Sequence, residues 1–559
     1  MDFMDKIEQD LKKALNEAAM QLHEARPNLL PGDPAAQFKK IATQVSQSCI
    51  VAVVGQVKVG KSSFINALLH DDLAKVGTTE TTATINYFRY SEGDLAPDST
   101  VCCFFRDGHS SYVDRAFLNG LQGNDIETLR RSQEIDHLEY YLRNHDLERI
   151  MLVDTPGTNA AVDEHQNVVA EFMRLEKQLR DRHDEETKEL ADTADAVIYL
   201  IGAVAGSTDQ KFLEEFHELT KGRSEAFNAV GVMSKIDLHS ETIERRVELS
   251  AKIANQLQEN LNTVVPVSAG IYRALDSLLA NNRARLKRLV ETLEGIASGK
   301  FDKFFFSPNH YLRTDPDWPA SLELRKELRG NLEWSVFATI ARVAVEHSFD
   351  LDAIEKQLRA IAGFDQLRDV LELHIFQRSR ILRYYSKVNL ARQVLNKLRF
   401  LLPSDKHDSE GRDKLERYLK FIQQTGDVGC NATTAHELEA LVKKSLALQV
   451  EPLDSIVERL VREFDVIFHK LEQYNEDFGA LQVVIKHASL FLPTEIDELK
   501  EILGWYGLEV ENRLSLDYVR ERQRQWRRIS LYDTNSIRRD VANQVVERYG
   551  RIQKKLGGN

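Results

Sequence analysis

The sequence predicts an α/β domain, a mostly parallel sheet with helices on both faces, joined to an elongated all-α region. Between Cys49 and about Ser268, short apolar runs alternate with helix-like segments, the order that builds a parallel sheet. After Ile271 the strand signal fades. Apolar residues then recur at three- and four-residue steps, as in Leu351, Ile354, Leu358, Ile361 and Leu367, which is helical spacing. Only three prolines (Pro403, Pro452, Pro493) interrupt residues 320–559, so helices there can run long.

In order along the chain, Ile7, Leu11, Ala14, Leu15, Ala18 and Leu22 share one helical face, and the cluster Pro27, Pro31, Gly32 and Pro34 stops that helix. A short helix is expected over 37–47. Strands are expected over 49–54, 84–90, 101–105, 149–153, 196–201, 229–233 and 264–267, with Asp107-Gly108 marking a hairpin. A further apolar series runs from Leu438 to Leu471.

Composition excludes several classes. Hydrophobic residues at 42% and charged residues at 29% describe a globular chain. Four cysteines (Cys49, Cys102, Cys103, Cys430) without a CxxC pair rule out a disulfide scaffold or zinc ribbon and suit a reducing cytosol. The net charge of −13 argues against non-specific nucleic-acid binding, and no nucleic-acid partner is expected. No apolar run reaches the ~18 residues of a membrane span, and Met1–Met20 is charged every few residues, unlike a leader. The expectation is a cytoplasmic protein, with peripheral membrane contact left open.

Gly55-Gln56-Val57-Lys58-Val59-Gly60-Lys61-Ser62 fits GxxxxGK[ST] directly after the apolar strand Ile50–Val54 and before the helix-like Ser63–Leu69, the context this motif requires. Backbone N–H groups from Gly55 through Val57, Lys58, Val59, Gly60, Lys61, Ser62 and Ser63 would curl around a β-phosphate at the helix amino terminus. Lys61 would neutralise the β- and γ-phosphates, and the Ser62 hydroxyl would ligate Mg²⁺. Asp154-Thr155-Pro156-Gly157 follows the run Ile150–Val153. There Asp154 can hold Mg²⁺, through water, while the Gly157 amide faces the γ-phosphate.

In the loop Gly77–Ala83, a threonine about 20 residues past the phosphate loop can reach the metal. Thr82 is favoured over Thr81 because it sits nearer the strand. Ser234-Lys235-Ile236-Asp237 caps the strand Val230–Met233. Asp237 can accept both the N1–H and the 2-amino group of guanine, the Lys235 stem would lie over the base, and Val267-Ser268-Ala269 could supply an amide to the guanine oxygen.

These four motifs, in this order and ahead of a long helical region, resemble the dynamin superfamily, specifically its bacterial dynamin-like branch. The resemblance implies a P-loop GTPase head with a helical neck and stalk, and GTP as substrate with Mg²⁺. It also implies head-to-head self-association coupled to membrane remodelling or vesicle-associated secretion. It allows a second dynamin-like partner and peripheral lipid contact. It divides the chain into neck helices at 1–46, a GTPase domain at 47–270, a neck and stalk at 271–512 with a tip near 403–433, and a basic helix at 513–559 returning to the neck. The alternative is a guanine-nucleotide switch or scaffold whose stalk binds a protein without remodelling membrane.

Three departures from the family pattern matter. Lys58 stands where many members have a serine that helps hold a monovalent cation, and where the guanylate-binding branch has an arginine finger. It either supplies transition-state charge internally or points into solvent. Ser234 replaces the usual asparagine or threonine, and Thr158, not glutamine, follows Gly157. Weak nucleotide affinity and low basal hydrolysis are the expectations, with Lys61, Thr82 and Lys58 as the catalytic set.

Two questions stay open in the helical region. The segment 513–559 carries twelve Lys/Arg against five Asp/Glu; it offers either an anionic-lipid or nucleic-acid surface or a solvated face pairing with the acidic amino-terminal half. Phe301, Phe304, Phe305 and Phe306, and likewise Phe491, Leu492, Leu503 and Trp505, suit either an interfacial anchor or buried packing.

Overall fold

The computed structural model describes residues 3–24, 33–55, 59–69, 85–92, 100–121, 134–154, 194–203, 229–257, 261–296, 300–313, 318–401, 453–503 and 514–557. The chain forms two compact units: residues 48–382, which contain the sheet, and a helical unit of residues 1–47 with 383–559. The chain opens in the helical unit with α1 (Phe3–Glu24) and α2 (Pro34–Gln44). Pro34, expected as part of a helix stop, instead begins α2. Its fixed φ suits the first helical position, and the Asp33 side chain caps the turn by accepting from the Ala36 amide at 2.9 Å.

The sheet has nine strands: β1 (Cys49–Gly55), β2 (Ile85–Tyr90), β3 (Val101–Phe105), β4 (Ser110–Tyr112), β5 (Ile135–Leu142), β6 (Ile150–Asp154), β7 (Ala196–Ile201), β8 (Ala229–Met233) and β9 (Thr263–Pro266). Their order is β4-β3-β5-β2-β6-β1-β7-β8-β9. From β6 to β9 every pairing is parallel. β2 runs antiparallel to β6, and β3 runs antiparallel to both β4 and β5. The β3–β4 hairpin turns at Gly108, whose φ of +92° a side chain would resist.

Side chains along β1 alternate between two cores. Ile50, Ala52 and Val54 enter one, and Cys49, Val51 and Val53 the other, the period-two pattern of a strand covered on both faces. On the first face lie α4 (Arg246–Gln256), α5 (Ala269–Glu294), α6 (Trp334–Glu346) and α7 (Leu351–Ala362). On the second lie α3 (Lys61–Leu69) and α8 (Phe364–Leu371), continued by a π-helical turn over Glu372–Phe376.

This differs from the boundary near residue 270. Ile354, Leu358 and Ile361, expected in a stalk, are buried in the first core, and Leu367 in the second. The reason is demand: a wide sheet with two apolar faces needs more helices than the segment between its strands supplies. The aromatic run after Lys300 is packed too, with Phe304, Phe305, Tyr311 and Trp318 buried and only Phe306 exposed. As an interfacial anchor it is withdrawn.

Between α7 and α8 the chain passes very close to the sheet. Gly363 has φ +75°, and a Cβ there would come within 2.2 Å of the Pro266 carbonyl oxygen. Gly363→Ala combines a left-handed backbone with a clash against main chain, so it should cost about 3 kcal/mol. Chemical denaturation of the variant measures that loss; an unchanged midpoint would mean the corner is not packed this way.

In the helical unit, α9 (Ser379–Leu401) precedes α10 (Leu453–Lys486), α11 (Pro493–Leu503), α12 (Leu516–Tyr532) and α13 (Ser536–Gly557). α10 has 34 residues, about 51 Å at 1.5 Å each. The buried face of α1 (Leu11, Leu15, Ala18, Leu22) is the one its spacing marked. Glu8 on α1 accepts from the Tyr384 hydroxyl at 2.7 Å and pairs with Lys12 at 2.9 Å. Burial would raise its carboxyl, but these donors outweigh that and bring it down to about 2.

Among the described residues the basic segment pairs inside this unit with carboxylates of α10 and α11, not with the acidic amino-terminal half expected from the sequence. Arg538 binds Glu495, and Arg548 and Arg551 both bind Asp477. Phe491 and Leu503 are buried while Leu492 is exposed. Trp505 and the proposed tip at 403–433 lie outside the described residues. Among the described residues no helix is long and apolar enough to cross a membrane.

A candidate nucleotide site at the carboxyl edge of the sheet

The motif residues converge at the carboxyl ends of β1, β6, β8 and β9, where open α/β sheets bind ligands. Gly55 ends β1 against the Leu200 carbonyl oxygen, which a Cβ would approach to 2.9 Å, and Gly60 turns with φ +95° into α3. Lys61 opens that helix and Ser62 and Ser63 follow in its first turn. Val57, Lys58, Thr82 and Gly157 lie outside the described residues.

Lys61 and Asp154 face each other, Nζ to Oδ1 at 3.6 Å, with side chains 7% and 0% exposed. At that distance they form an ion pair rather than a close hydrogen bond, and the Asn86 side chain is the other polar group facing the carboxylate. Burial lowers the Lys61 ammonium and raises the Asp154 carboxyl, and the partner charge opposes the shift in each case. Both groups are thus pushed toward neutrality. An anionic phosphate beside Lys61 and a divalent cation beside Asp154 would relieve that cost. A fully buried carboxylate at the end of β6, with the motif serine Ser62 in the first turn of α3, fits Mg²⁺ held by Ser62 directly and by Asp154 through water. Among the described residues no cluster of three or more His, Cys, Asp or Glu side chains offers another metal site.

Ser234, at the start of the SKID motif, makes bonds within the protein. Its hydroxyl donates to the Val59 carbonyl at 2.6 Å and also lies 3.3 Å from the Ile201 carbonyl. It therefore ties the phosphate loop to the end of β8. Lys235, in a left-handed conformation at φ 55°, lays its stem on the Gly60 backbone, with Cε 3.1 Å from where a Cβ on Gly60 would be.

Asp237 is 7% exposed, and its Oδ1 accepts from the Ser268 hydroxyl at 2.5 Å. Ser268 also caps α5 by accepting from the Ile271 amide at 3.0 Å. Its own amide donates to the Ala362 carbonyl at 3.0 Å, and the Val267 amide to Met233 at 2.8 Å. Of the three amides expected to face a guanine oxygen, this leaves Ala269. The Ser268 hydroxyl holds Asp237 in place.

Two contributors were not visible in the motifs. Phe364 stacks on Tyr272 of α5 at 4.3 Å and touches Phe64 of α3 at 5.9 Å between ring centroids, so the α7–α8 corner braces both loops of the site. Ser335, on α6, brings its hydroxyl to 3.4 Å from Asp237 Oδ2. Helical spacing marks α6 and α8 as amphipathic, but no local signal places them here.

A glycine-rich loop leading into a helix, a buried Lys–Asp pair and a serine-held aspartate beyond β8 define a GTP-binding P-loop domain. Comparison with known proteins agrees. Residues 51–236 match the model of the dynamin family, and the chain is similar to bacterial dynamin-like GTPases. GTPases of this family bind GTP and generally Mg²⁺.

The isoniazid-induced protein IniC of Mycobacterium tuberculosis is 25% identical over 397 residues, 69% of this chain and 75% of that protein. Dynamin-like protein 2 of Campylobacter jejuni is 27% identical over 154 residues, 27% of this chain and 22% of its own length. A solved bacterial dynamin pair, described as providing a mechanism for the long-range sensing and tethering of membranes, aligns at 15% identity. That alignment covers 100% of this chain and 91% of the other, with a TM-score of 0.34.

Proposed function

We propose that the protein binds GTP with Mg²⁺ and hydrolyses it slowly, and that paired heads accelerate turnover and couple it to work at a membrane surface. The observation that carries the reading is the convergence of Lys61, Asp154 and Asp237 on one edge of the sheet. Lys61 neutralises phosphate charge, and Ser234 holds the phosphate loop against the base motif. Asp237 selects guanine, with Lys235 along the loop and the Ala269 amide available to the base oxygen. Bound Mg²⁺ would supply charge neutralisation between the β- and γ-phosphates.

Lys58, Thr82 and Gly157 complete the set on the sequence pattern alone. No glutamine follows Gly157 to orient water, so ordering of the switches in a dimer has to make up the difference. Self-assembly, a second dynamin-like partner and peripheral lipid contact are inferred from the resemblance to that family.

The base assignment has a sharp test. Asp237→Asn should lose GTP affinity and gain XTP affinity, because xanthine presents an acceptor where guanine presents its amino group. Competition binding of the two nucleotides reads this, and an unchanged GTP preference removes Asp237 from the site. For the membrane step, sedimentation with anionic liposomes should rise with a non-hydrolysable GTP analogue. No pelleting with or without it would favour a switch that acts on a protein partner.

A further inference from the structure

The base-recognition carboxylate is gripped at both oxygens. Ser268 donates to Asp237 Oδ1 at 2.5 Å, and Ser335 to Oδ2 at 3.4 Å. The second bond is long for a hydroxyl donor, but packing holds its helix in place. Val336, 1% exposed, presses on Gly270 so closely that a Cβ there would lie 2.7 Å from Val336 Cγ2 and 3.7 Å from Asp237 Oδ2. Val336 and Phe337 also share one core with Met233, Ile236 and Ile271, the residues flanking both base loops. Ser335 therefore reaches Asp237 from a helix well beyond the residues that match the family, 51–236.

We propose that Ser335 is a positioning residue for guanine specificity; this rests on the guanine reading above. A carboxylate anchored by Ser268 alone can pivot about that one bond. A second anchor on the other oxygen fixes its plane, so that one oxygen meets the ring N1–H and the other the 2-amino group of the same base. The residue therefore sharpens discrimination against hypoxanthine, which carries N1–H but lacks the amino group. It makes α6 part of the base site.

The test compares binding of GDP, IDP and ADP to the full chain as wild type, Ser335→Ala and Ser335→Thr. The wild type should prefer GDP over IDP. Ser335→Ala should weaken GDP binding about fivefold, the size of one lost hydrogen bond, and IDP binding less, so that the GDP/IDP ratio falls. Ser335→Thr keeps a hydroxyl and should restore the ratio. A merely structural residue would lower both affinities together. An unchanged ratio in Ser335→Ala, or a threonine variant no better than alanine, overturns the positioning role while leaving the guanine site standing. A wild type indifferent between GDP and ADP overturns the guanine reading itself, and this inference with it.

Discussion

Replacing Lys61 with methionine will reduce GTP turnover by at least about 100-fold, because a preorganised charge facing the transferring phosphoryl group is lost. The substitution has a second consequence that a simple binding-loop lysine would lack. Asp154 is 0% exposed and has Lys61 as its ion-pair partner, so the methionine variant strands a buried carboxylate. Removing one member of a buried pair costs about 3 kcal/mol or more.

The sign with pH follows from burial. Burial already raises Asp154, and without the ammonium it rises further. A carboxyl whose folded pKa lies above its unfolded value favours the folded state in its protonated form. The variant should therefore be closest to wild type in acid and fall behind as pH climbs through the raised pKa. Adding Asp154→Asn should recover stability near neutral pH and leave turnover lost. Equal melting temperatures of wild type and Lys61→Met across pH would show that the pair does not exist in solution.

Glu498→Ala should cost the helical unit about 4 kcal/mol. This one carboxylate on α11 accepts from the Arg522 Nε at 2.7 Å, the Trp526 indole N–H at 3.1 Å and the Tyr549 hydroxyl at 2.6 Å. Arg522 and Trp526 lie on α12 and Tyr549 on α13, and the tryptophan and tyrosine are 1% and 0% exposed. Alanine leaves the buried indole N–H and tyrosine hydroxyl without this acceptor and Arg522, 25% exposed, without its counter-charge. Burial and the Glu498 acceptor raise the Tyr549 hydroxyl, so it stays a donor throughout the accessible pH range.

Glu498→Gln keeps an acceptor oxygen and removes the charge that Arg522 needs, so it should lose about half as much. Denaturation followed by helical circular dichroism ranks the three proteins. A Gln variant as unstable as Ala would place the loss in the charge pair alone.

Much of the head was legible because its signals are local. β1, β3, β7 and β8 fall within a residue of the expected runs, and GxxxxGKS delivers Lys61 to the first turn of α3. β5 is hard to see because Asp136 and Glu139 break its apolar pattern; Glu139 can be buried because Arg89 pairs with it at 2.8 Å and the Tyr141 hydroxyl donates to it at 2.5 Å. The bond from Ser234 to Val59 could not be read from its motif position. A serine there looks like a weakened base contact, whereas its hydroxyl closes a bond to Val59, far away in sequence. The same holds for Ser335 and Ala362, whose partners are set by how α6 and the α7–α8 corner dock on the sheet. Helical periodicity showed that residues 351–367 bury one face, but not that the face lies against β-strands. That choice drew the boundary too early.

The account depends on a guanine nucleotide occupying the edge shared by β1, β6, β8 and β9. Equilibrium competition for a fluorescent GDP analogue in the presence of Mg²⁺ tests it most directly. Unlabelled GTP and GDP should displace the analogue from the wild-type protein, while ATP should fail to do so even at a large excess. Displacement by ATP at the same concentration as GTP would contradict the account.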